Sequence, residues 1–334
     1  MTGRQSAARF LSYLCDVKKT SHIIIVCLFI FLVVCVVASL SAGCYMVKYA
    51  LLPEVEYDEQ KEIDGLSEKF PGLSEWVRDL MSSGALRDTS VIIDGLVKHC
   101  YLITAQEPSA KTAVTIHGYT SNPMAMMPIA RMFRDEFGYN VALPHLHYHG
   151  FSEGASVQMG WYDRLDVLKW IDLAHEVFSD TLQVVHGISM GGATTMMTSG
   201  EDLPEYVRGF IEDCGYSTVW EQYKKELAER FHLPAFPILY AADLVTYLRY
   251  GWHFKEASSL DQLSKSTEPM LFIHGDSDKF VPSWMLQVNY DAKKQGYKEM
   301  WSTPGVPHAE SYHMFPEEYS AHVGKFLKEH VEQD

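Results

Sequence analysis

The chain reads as an α/β protein: a mostly parallel sheet with helices on both faces and a short cap insertion, preceded by a single N-terminal transmembrane helix. Three observations predict this. From Ala113 onward, strand-like and helical segments alternate, which is the pattern of a parallel sheet with crossover helices. Residues Ile23–Val47 carry no charged side chain. Finally, the apolar Val184-Val185 breaks into Gly187-Ile188-Ser189-Met190-Gly191 ahead of a helix-forming stretch, a strand–turn–helix signature with a serine at its tip.

Within the N-terminal stretch, Ile23–Ala38 is apolar without interruption. The uncharged stretch as a whole exceeds the ~20 residues needed to cross a hydrocarbon core. A cleaved signal sequence usually has a core of only ~7–15 residues, so an uncleaved anchor over 23–47 is expected. Ser41-Ala42-Gly43-Cys44 is similar to a bacterial lipoprotein cleavage box, with Ser41 where Leu is preferred. Arg4, Arg9, Lys18 and Lys19 precede the span, and Glu54, Glu56, Asp58 and Glu59 follow it. The positive-inside rule then leaves residues 1–22 cytoplasmic and the rest of the chain outside.

Of the formal net charge of −15, residues 1–50 contribute +4, so the remainder carries −19. An acidic body argues against nucleic acid as a partner, because phosphate binding needs clustered Lys and Arg. The composition, 47% hydrophobic and 21% charged, suits one globular domain after the span. Cys15, Cys27, Cys35 and Cys44 lie in or beside the span, which leaves Cys100 and Cys214 in the body. A disulfide between these two is open to an exported domain, but Cys214 ends an apolar strand and reads as a buried thiol. No CxxC or Cys/His zinc spacing occurs.

Residues 48–70 read as an acidic linker with little periodicity, and 71–334 as the domain. Leu73, Trp76, Val77, Leu80 and Met81 share one helical face. Val91-Ile92-Ile93, then Asp94-Gly95, then Leu96–Ile103 predicts a β-hairpin, since Asp-Gly favours a tight turn. Strands follow at Ala113–His117, Asn140–Leu143, Leu182–Val185, Val207–Ile211, Met270–His274 and Met300–Thr303. Helices are expected near 124–137, 161–178, 191–200, 218–230, 283–295 and 317–332. The aromatic and Pro-rich stretch 233–260 interrupts this rhythm and reads as a short cap over the strand ends.

A serine hydroxyl attacks only when a base takes its proton, and the base needs an orienting acid. In doubly wound sheets such groups gather at the carboxyl ends of strands. Strand 270–274 runs into Gly275-Asp276-Ser277-Asp278, and the last strand into Pro304-Gly305-Val306-Pro307-His308. The order Ser189, Asp278, His308 follows, with Asp276 as rival acid and His313 and His322 as rival bases. Upstream, strand 113–116 ends in His117-Gly118-Tyr119. The Tyr119 and Met190 N–H groups are therefore the expected oxyanion donors, each typically worth ~3–4 kcal/mol to the transition state.

HGYTSNP (117–123), HGFSEG (149–154), MGWYDRLDVLKWI (159–171), HGISMGG (186–192), IEDCGYS (211–217), HGDSDKFVP (274–282) and PHAESY (307–312) stand in this order along the chain. On these motifs the domain resembles the α/β-hydrolase superfamily, and within it the bacterial esterase and serine aminopeptidase-like enzymes. The resemblance implies nucleophile Ser189, acid Asp278 (three residues after Gly275), base His308, and oxyanion donors Tyr119 and Met190. It departs at Pro144-His145-Leu146-His147-Tyr148-His149-Gly150, where relatives commonly carry Pro-Asp-x-Arg-Gly-His-Gly. The histidine spacing invites a metal reading, but no carboxylate or cysteine stands at matching distance. A loop-structural role for His145 and His147 is expected, with no metal and no cofactor. The expected function is hydrolysis of a small carboxylic ester by a membrane-anchored serine hydrolase. Peptidase or amidase chemistry is the enzymatic alternative, and a non-catalytic binding protein of the same fold the other.

Overall fold

The computed structural model describes residues 2–54 and 56–333. Its sheet has eight strands: β1 Leu86–Ile93, β2 Leu96–Ile103, β3 Lys111–Ile116, β4 Asn140–Pro144, β5 Leu182–Ile188, β6 Val207–Asp213, β7 Met270–Gly275 and β8 Lys298–Thr303. Their spatial order is β1-β2-β4-β3-β5-β6-β7-β8. Only the β1/β2 and β2/β4 pairs are antiparallel. The expected hairpin forms at Asp94-Gly95, where both residues take positive φ (51° and 78°), as a two-residue turn of the right hand requires.

Helices α1 (Thr2–Leu51), α2 (Glu59–Lys69), α3 (Leu73–Ser83), α4 (Met127–Arg131), α5 (Asp163–Phe178) and α6 (Met190–Thr198) occupy the first part of the chain. They are followed by α7 (Val219–Phe231), α8 (Ile238–Tyr250), α9 (Ser259–Leu263), α10 (Trp284–Ala292), α11 (Ser311–Met314) and α12 (Pro316–Phe326). Two cores flank the sheet. One packs Trp170 and Ile171 of α5, Met196 and Met197 of α6, and Met285 of α10 against it. The other packs Leu73, Val77, Ile129, Tyr319 and Phe326 from α3, α4 and α12. The crevice where strand order reverses lies at β3 and β5, the place where doubly wound sheets put their ligands.

Three expectations change. The helix expected over 124–137 is a composite: a 3₁₀ turn (Pro123–Met126), α4, then a π turn (Met132–Glu136). The linker 48–70 contains α2, whose apolar contribution is confined to buried Ile63 with partly buried Leu66 and Phe70, too few residues to show as periodicity. The apolar N-terminal segment is helical from Thr2 to Leu51, and it is long and apolar enough to cross a membrane. Its last turns, however, are part of the domain: Val47 and Leu51 belong to the core beside α5 and α6. Gly43 lets α1 lie directly on α8, since a Cβ there would come within 2.7 Å of the Ala241 backbone. Cys100 and Cys214 are both buried free thiols.

Candidate active site

Ser189 sits between β5 and α6 with φ 60° and ψ −119°, a conformation that costs a non-glycine residue ~1–3 kcal/mol and persists only where the surroundings enforce it. The enforcement is steric and hydrogen-bonded. A Cβ on Gly187 would fall 2.0 Å from the Gly191 carbonyl oxygen, and one on Gly191 would fall 2.0 Å from that of Ile116. The Ser189 N–H donates to the Asp213 carbonyl at 2.8 Å, and the Ser189 carbonyl accepts from Ala193 N–H at 2.9 Å. The serine is thus held at the amino end of α6, where the helix dipole favours developing negative charge.

The structure brings Ser189, His308 and Asp278 into one hydrogen-bonded chain. Ser189 Oγ lies 2.8 Å from His308 Nε2, and His308 Nδ1 lies 2.6 Å from Asp278 Oδ2. Burial by itself would raise the Asp278 carboxyl. Hydrogen bonds and charge from His274 and His308 outweigh it and hold the group at about 2, so it is a carboxylate at neutral pH. As an acceptor it fixes the His308 proton on Nδ1 and leaves Nε2 free to take the Ser189 proton. Phe280 and Val281 N–H groups donate to Asp278 Oδ1 at 2.8 and 3.0 Å, which locks the carboxylate.

The rivals lie elsewhere. Asp276 is exposed and caps the Gly305 N–H of the β8 loop. His313 pairs with Glu310, and His322 stacks on Trp301.

One further group supports the site without having been singled out in the sequence. His274, at the end of β7, is fully buried, and its Nε2 lies 3.2 Å from Asp278 Oδ2 and 3.0 Å from the Val281 carbonyl. Burial opposes its charge, but the Asp278 bond and the nearby Glu212 carboxyl raise its pKa nonetheless. Beneath it, burial pushes Glu212 up to about 8 and Asp213 up to about 6. The signal for His274 was present in its place two residues before Asp276, at a strand end. Its role needed the fold, because only packing turns it toward Asp278.

Tyr119 and Met190 both border the cavity at Ser189, and among the described residues neither of their N–H groups has an intramolecular partner. The loop carrying Tyr119 is braced by two histidines. His117 Nδ1–H donates to the Gly118 carbonyl while its Nε2 accepts from Leu146 N–H. His149 Nε2 accepts from Thr120 N–H, and its Nδ1–H donates to the His147 carbonyl.

The other two loop histidines also bond to the loop. His145 Nδ1 accepts from Phe151 N–H. His147 contacts Lys98 Nζ at 2.7 Å through Nδ1 and Ala155 N–H through Nε2. Desolvation leads in lowering all three, His145 and His147 to about 3 and His149 to about 4. These are neutral rings: both nitrogens of His147 and of His149 meet backbone groups or Lys98, while His145 bonds through Nδ1 and its buried Nε2 has no hydrogen-bond partner among the described residues.

The ligand atoms of Cys214, Asp278 and His308 also lie within 4.8 Å of one another. Burial raises the Cys214 thiol well above its ordinary range, and Asp278 and His308 are bonded to each other.

Ser189 divides two spaces. On one side is an apolar cavity of about 150 Å³, walled by Met159, Met190, Tyr223, Leu239, Ala242 and Phe254 together with Met46, Tyr49 and Ala50 of α1. The Tyr119 hydroxyl donates to the Ala50 carbonyl at 3.0 Å, tying the loop after β3 to the end of that helix. On the other side, past His308, runs a wider groove of about 1060 Å³ bordered by Lys69, Phe70, Met126, Tyr312 and His313.

An eight-stranded, mostly parallel sheet with an elbow serine, a strand-end histidine and a strand-end carboxylate is the design of an α/β-hydrolase. The prolyl oligopeptidase family matches residues 133–334, and the chain belongs to that family; it is a hydrolase. The uncharacterized protein YqkD of Bacillus subtilis is 30% identical over 224 residues, 67% of this chain and 73% of its own length. Among solved structures, the esterase Pf2001 of Pyrococcus furiosus superposes with a TM-score of 0.60 at 24% identity, over 73% of this chain and 92% of that one. An acylaminoacyl peptidase of Pyrococcus horikoshii superposes at 0.56 and 16% identity, over 77% of this chain and 44% of that one. Both likenesses concern the fold.

Proposed function

We propose that the chain is a membrane-anchored serine hydrolase that cleaves small carboxylic esters through an acyl-enzyme. The observation that carries this is the unbroken Ser189–His308–Asp278 hydrogen-bond chain on a sterically enforced turn. His308 Nε2 takes the Ser189 proton as Oγ attacks the ester carbonyl. The oxyanion is met by the Tyr119 and Met190 N–H groups. Collapse of the tetrahedral intermediate breaks the bond to the alcohol, which leaves with the proton held by His308. Water then attacks the acyl group through the same base, releasing the acid and restoring the serine.

The two spaces suit the two halves of the substrate. The leaving group must lie beside His308, hence in the wide groove, and the acyl group takes the apolar cavity. An apolar cavity of about 150 Å³ holds one benzene-sized group, so short or aromatic acyl groups fit best. Peptide cleavage is the second reading, favoured by the family to which the chain belongs and by the width of the groove on the leaving-group side. Amide leaving groups depart only when well protonated, and this puts the ester first.

A fluorophosphonate probe tests the chemistry. Wild-type protein should be labelled and Ser189→Ala should not; label on the alanine variant would overturn the assignment. Matched nitrophenyl esters and nitroanilides then separate esterase from peptidase, the ester being turned over at least ~100-fold faster. For the anchor, the basic residues before the span and the acidic ones after it favour an external domain. Protease added to intact cells should digest the domain, and protection would reverse the orientation.

A further inference from the structure

The outer surface of the cap carries an apolar stripe that the catalytic reading does not use. Phe236, Tyr240, Leu244, Tyr247 and Leu248 are all exposed, Phe236 at 73% and Leu248 at 72%. The last four fall at i, i+4, i+7 and i+8 along α8, which is one face of a helix. The opposite face is committed: Leu239, Ala241, Ala242 and Val245 are buried, and Leu239 and Ala242 wall the cavity at Ser189. Two cations flank the stripe. The Lys255 ammonium lies over the rings of Trp220 and Tyr240 at 4.5 and 6.0 Å, and Arg249 is exposed beside Cys44. An apolar face with tyrosines along it and basic residues at its margin is the composition of a helix lying in a membrane interface.

The position of α8 against α1 names the surface that this face meets. The uninterrupted apolar run Ile23–Ala38 is about 24 Å long as a helix. Filling a hydrocarbon core of about 30 Å carries the span on to the level of Gly43. Contact with the domain begins within that same stretch. Every residue from Asp16 to Ala38 is exposed, Ser39 and Ala42 are half-buried, and Gly43 is buried against Ala241 and Ala242 of α8. No spacer separates the span from the cap, so α8 lies at the outer edge of the hydrocarbon.

We infer that α8 is an interfacial helix: its exposed stripe rests in the headgroup boundary of a lipid bilayer and holds the acyl cavity behind it at the membrane surface. The enzyme's substrates are then esters that partition into that leaflet. This rests on the membrane anchoring proposed above.

The test uses the full chain, with Cys15, Cys27, Cys35 and Cys44 replaced by Ala, reconstituted in vesicles of phosphatidylcholine and phosphatidylglycerol. A nitrobenzoxadiazole probe is placed at Leu248→Cys or, as a reference, at Glu205→Cys, which is exposed at the amino end of β6, away from the cap. Doxyl-labelled lipid should quench the probe at 248 at least about twofold more than the probe at 205, with a blue-shifted emission at 248 alone. Equal quenching and equal water exposure at the two positions would overturn the docking. A probe at 248 shielded from water yet untouched by lipid quencher would also overturn it, and would assign the stripe to a second copy of the chain. Extraction of the protein by alkaline carbonate refutes the anchor itself, separately from α8, and fluorophosphonate labelling reports on Ser189 independently of both.

Discussion

Two regions meet at Ser189 and are built by different means. The crest proposed to react is made of loops that leave β3, β5, β7 and β8, each placing its group within a few residues of a strand end. Backbone hydrogen bonds and impossible Cβ contacts fix it. The wall of the apolar cavity is made of segments distant in sequence, Met46 and Tyr49 of α1 against Leu239 and Ala242 of α8, and is held by side-chain packing and by the Tyr119–Ala50 bond. The difference teaches where chemistry and selectivity reside. The crest is over-determined and the wall is a matter of volume, so under the proposed mechanism a substitution in the crest should abolish reaction and one in the wall should redirect it.

The largest effect expected is on the crest, where two positions should grade it. Asp278→Asn keeps the shape but offers a donor where His308 needs an acceptor, leaving the imidazole proton on the wrong nitrogen; kcat should fall ~10⁴-fold with the fold intact. His274 acts one bond further out, holding Asp278 Oδ2 at 3.2 Å. His274→Leu should lower kcat ~10-fold with KM unchanged, and His274→Gln, which keeps a donor, should recover most of it. Steady-state kinetics on a nitrophenyl ester, with circular dichroism to confirm folding, decides both. If the leucine and glutamine variants were equally impaired, His274 would be filling space rather than positioning the acid.

That same contrast governs what could be read from the sequence. The crest was legible: Gly187 and Gly191 around Ser189, Gly118 before Tyr119, and the strand ends before Asp278 and His308 are short-range signals. The sheet followed from the alternation of elements, with most boundaries within a few residues. Packing across the chain left less trace. Helix α2 buries only Ile63 fully, and an acidic surface hid it. The N-terminal helix gave a strong membrane signal that obscured its second use, because nothing local distinguishes Met46 and Tyr49 from other apolar residues near a span. His274 opens the HGDSDKFVP motif, yet its contact with Asp278 exists only once β7 and its loop are folded.

The wall yields a prediction of intermediate size. Met46→Ala shortens a side chain that borders the cavity without touching the reacting groups. Labelling by fluorophosphonates of increasing alkyl length should show the change, with the optimum moving to longer chains and the longest probe reacting ~3–10-fold faster relative to the shortest. Labelling of Ser189 by the shortest probe should be nearly unchanged. An unaltered length profile would mean that α1 closes the cavity without gauging its occupant.

The smallest effect concerns the support beneath the loop that carries Tyr119. His149 is held by two backbone bonds, and desolvation leads in lowering its pKa to about 4. The unfolded chain binds this proton near its ordinary value of ~6.5. Between those values the unfolded state therefore carries more protons, and the contribution of the neutral ring, complete above pH ~6.5, is lost as pH falls toward 4. Buried Asp163, Glu212 and Asp213, whose values are raised, act with the opposite sign, so the wild-type curve alone does not isolate His149. The difference from His149→Leu does. The variant loses the acceptor for the Thr120 N–H, a cost that does not vary with pH, and it also loses the titrating ring. Between pH 7 and 5 its stability should fall by up to about 2 kcal/mol less than that of wild type, measured by thermal unfolding in one detergent at both pH values. Parallel losses in the two proteins would show that the folded state takes up this proton as readily as the unfolded chain, so that the Thr120 bond does not hold the ring neutral.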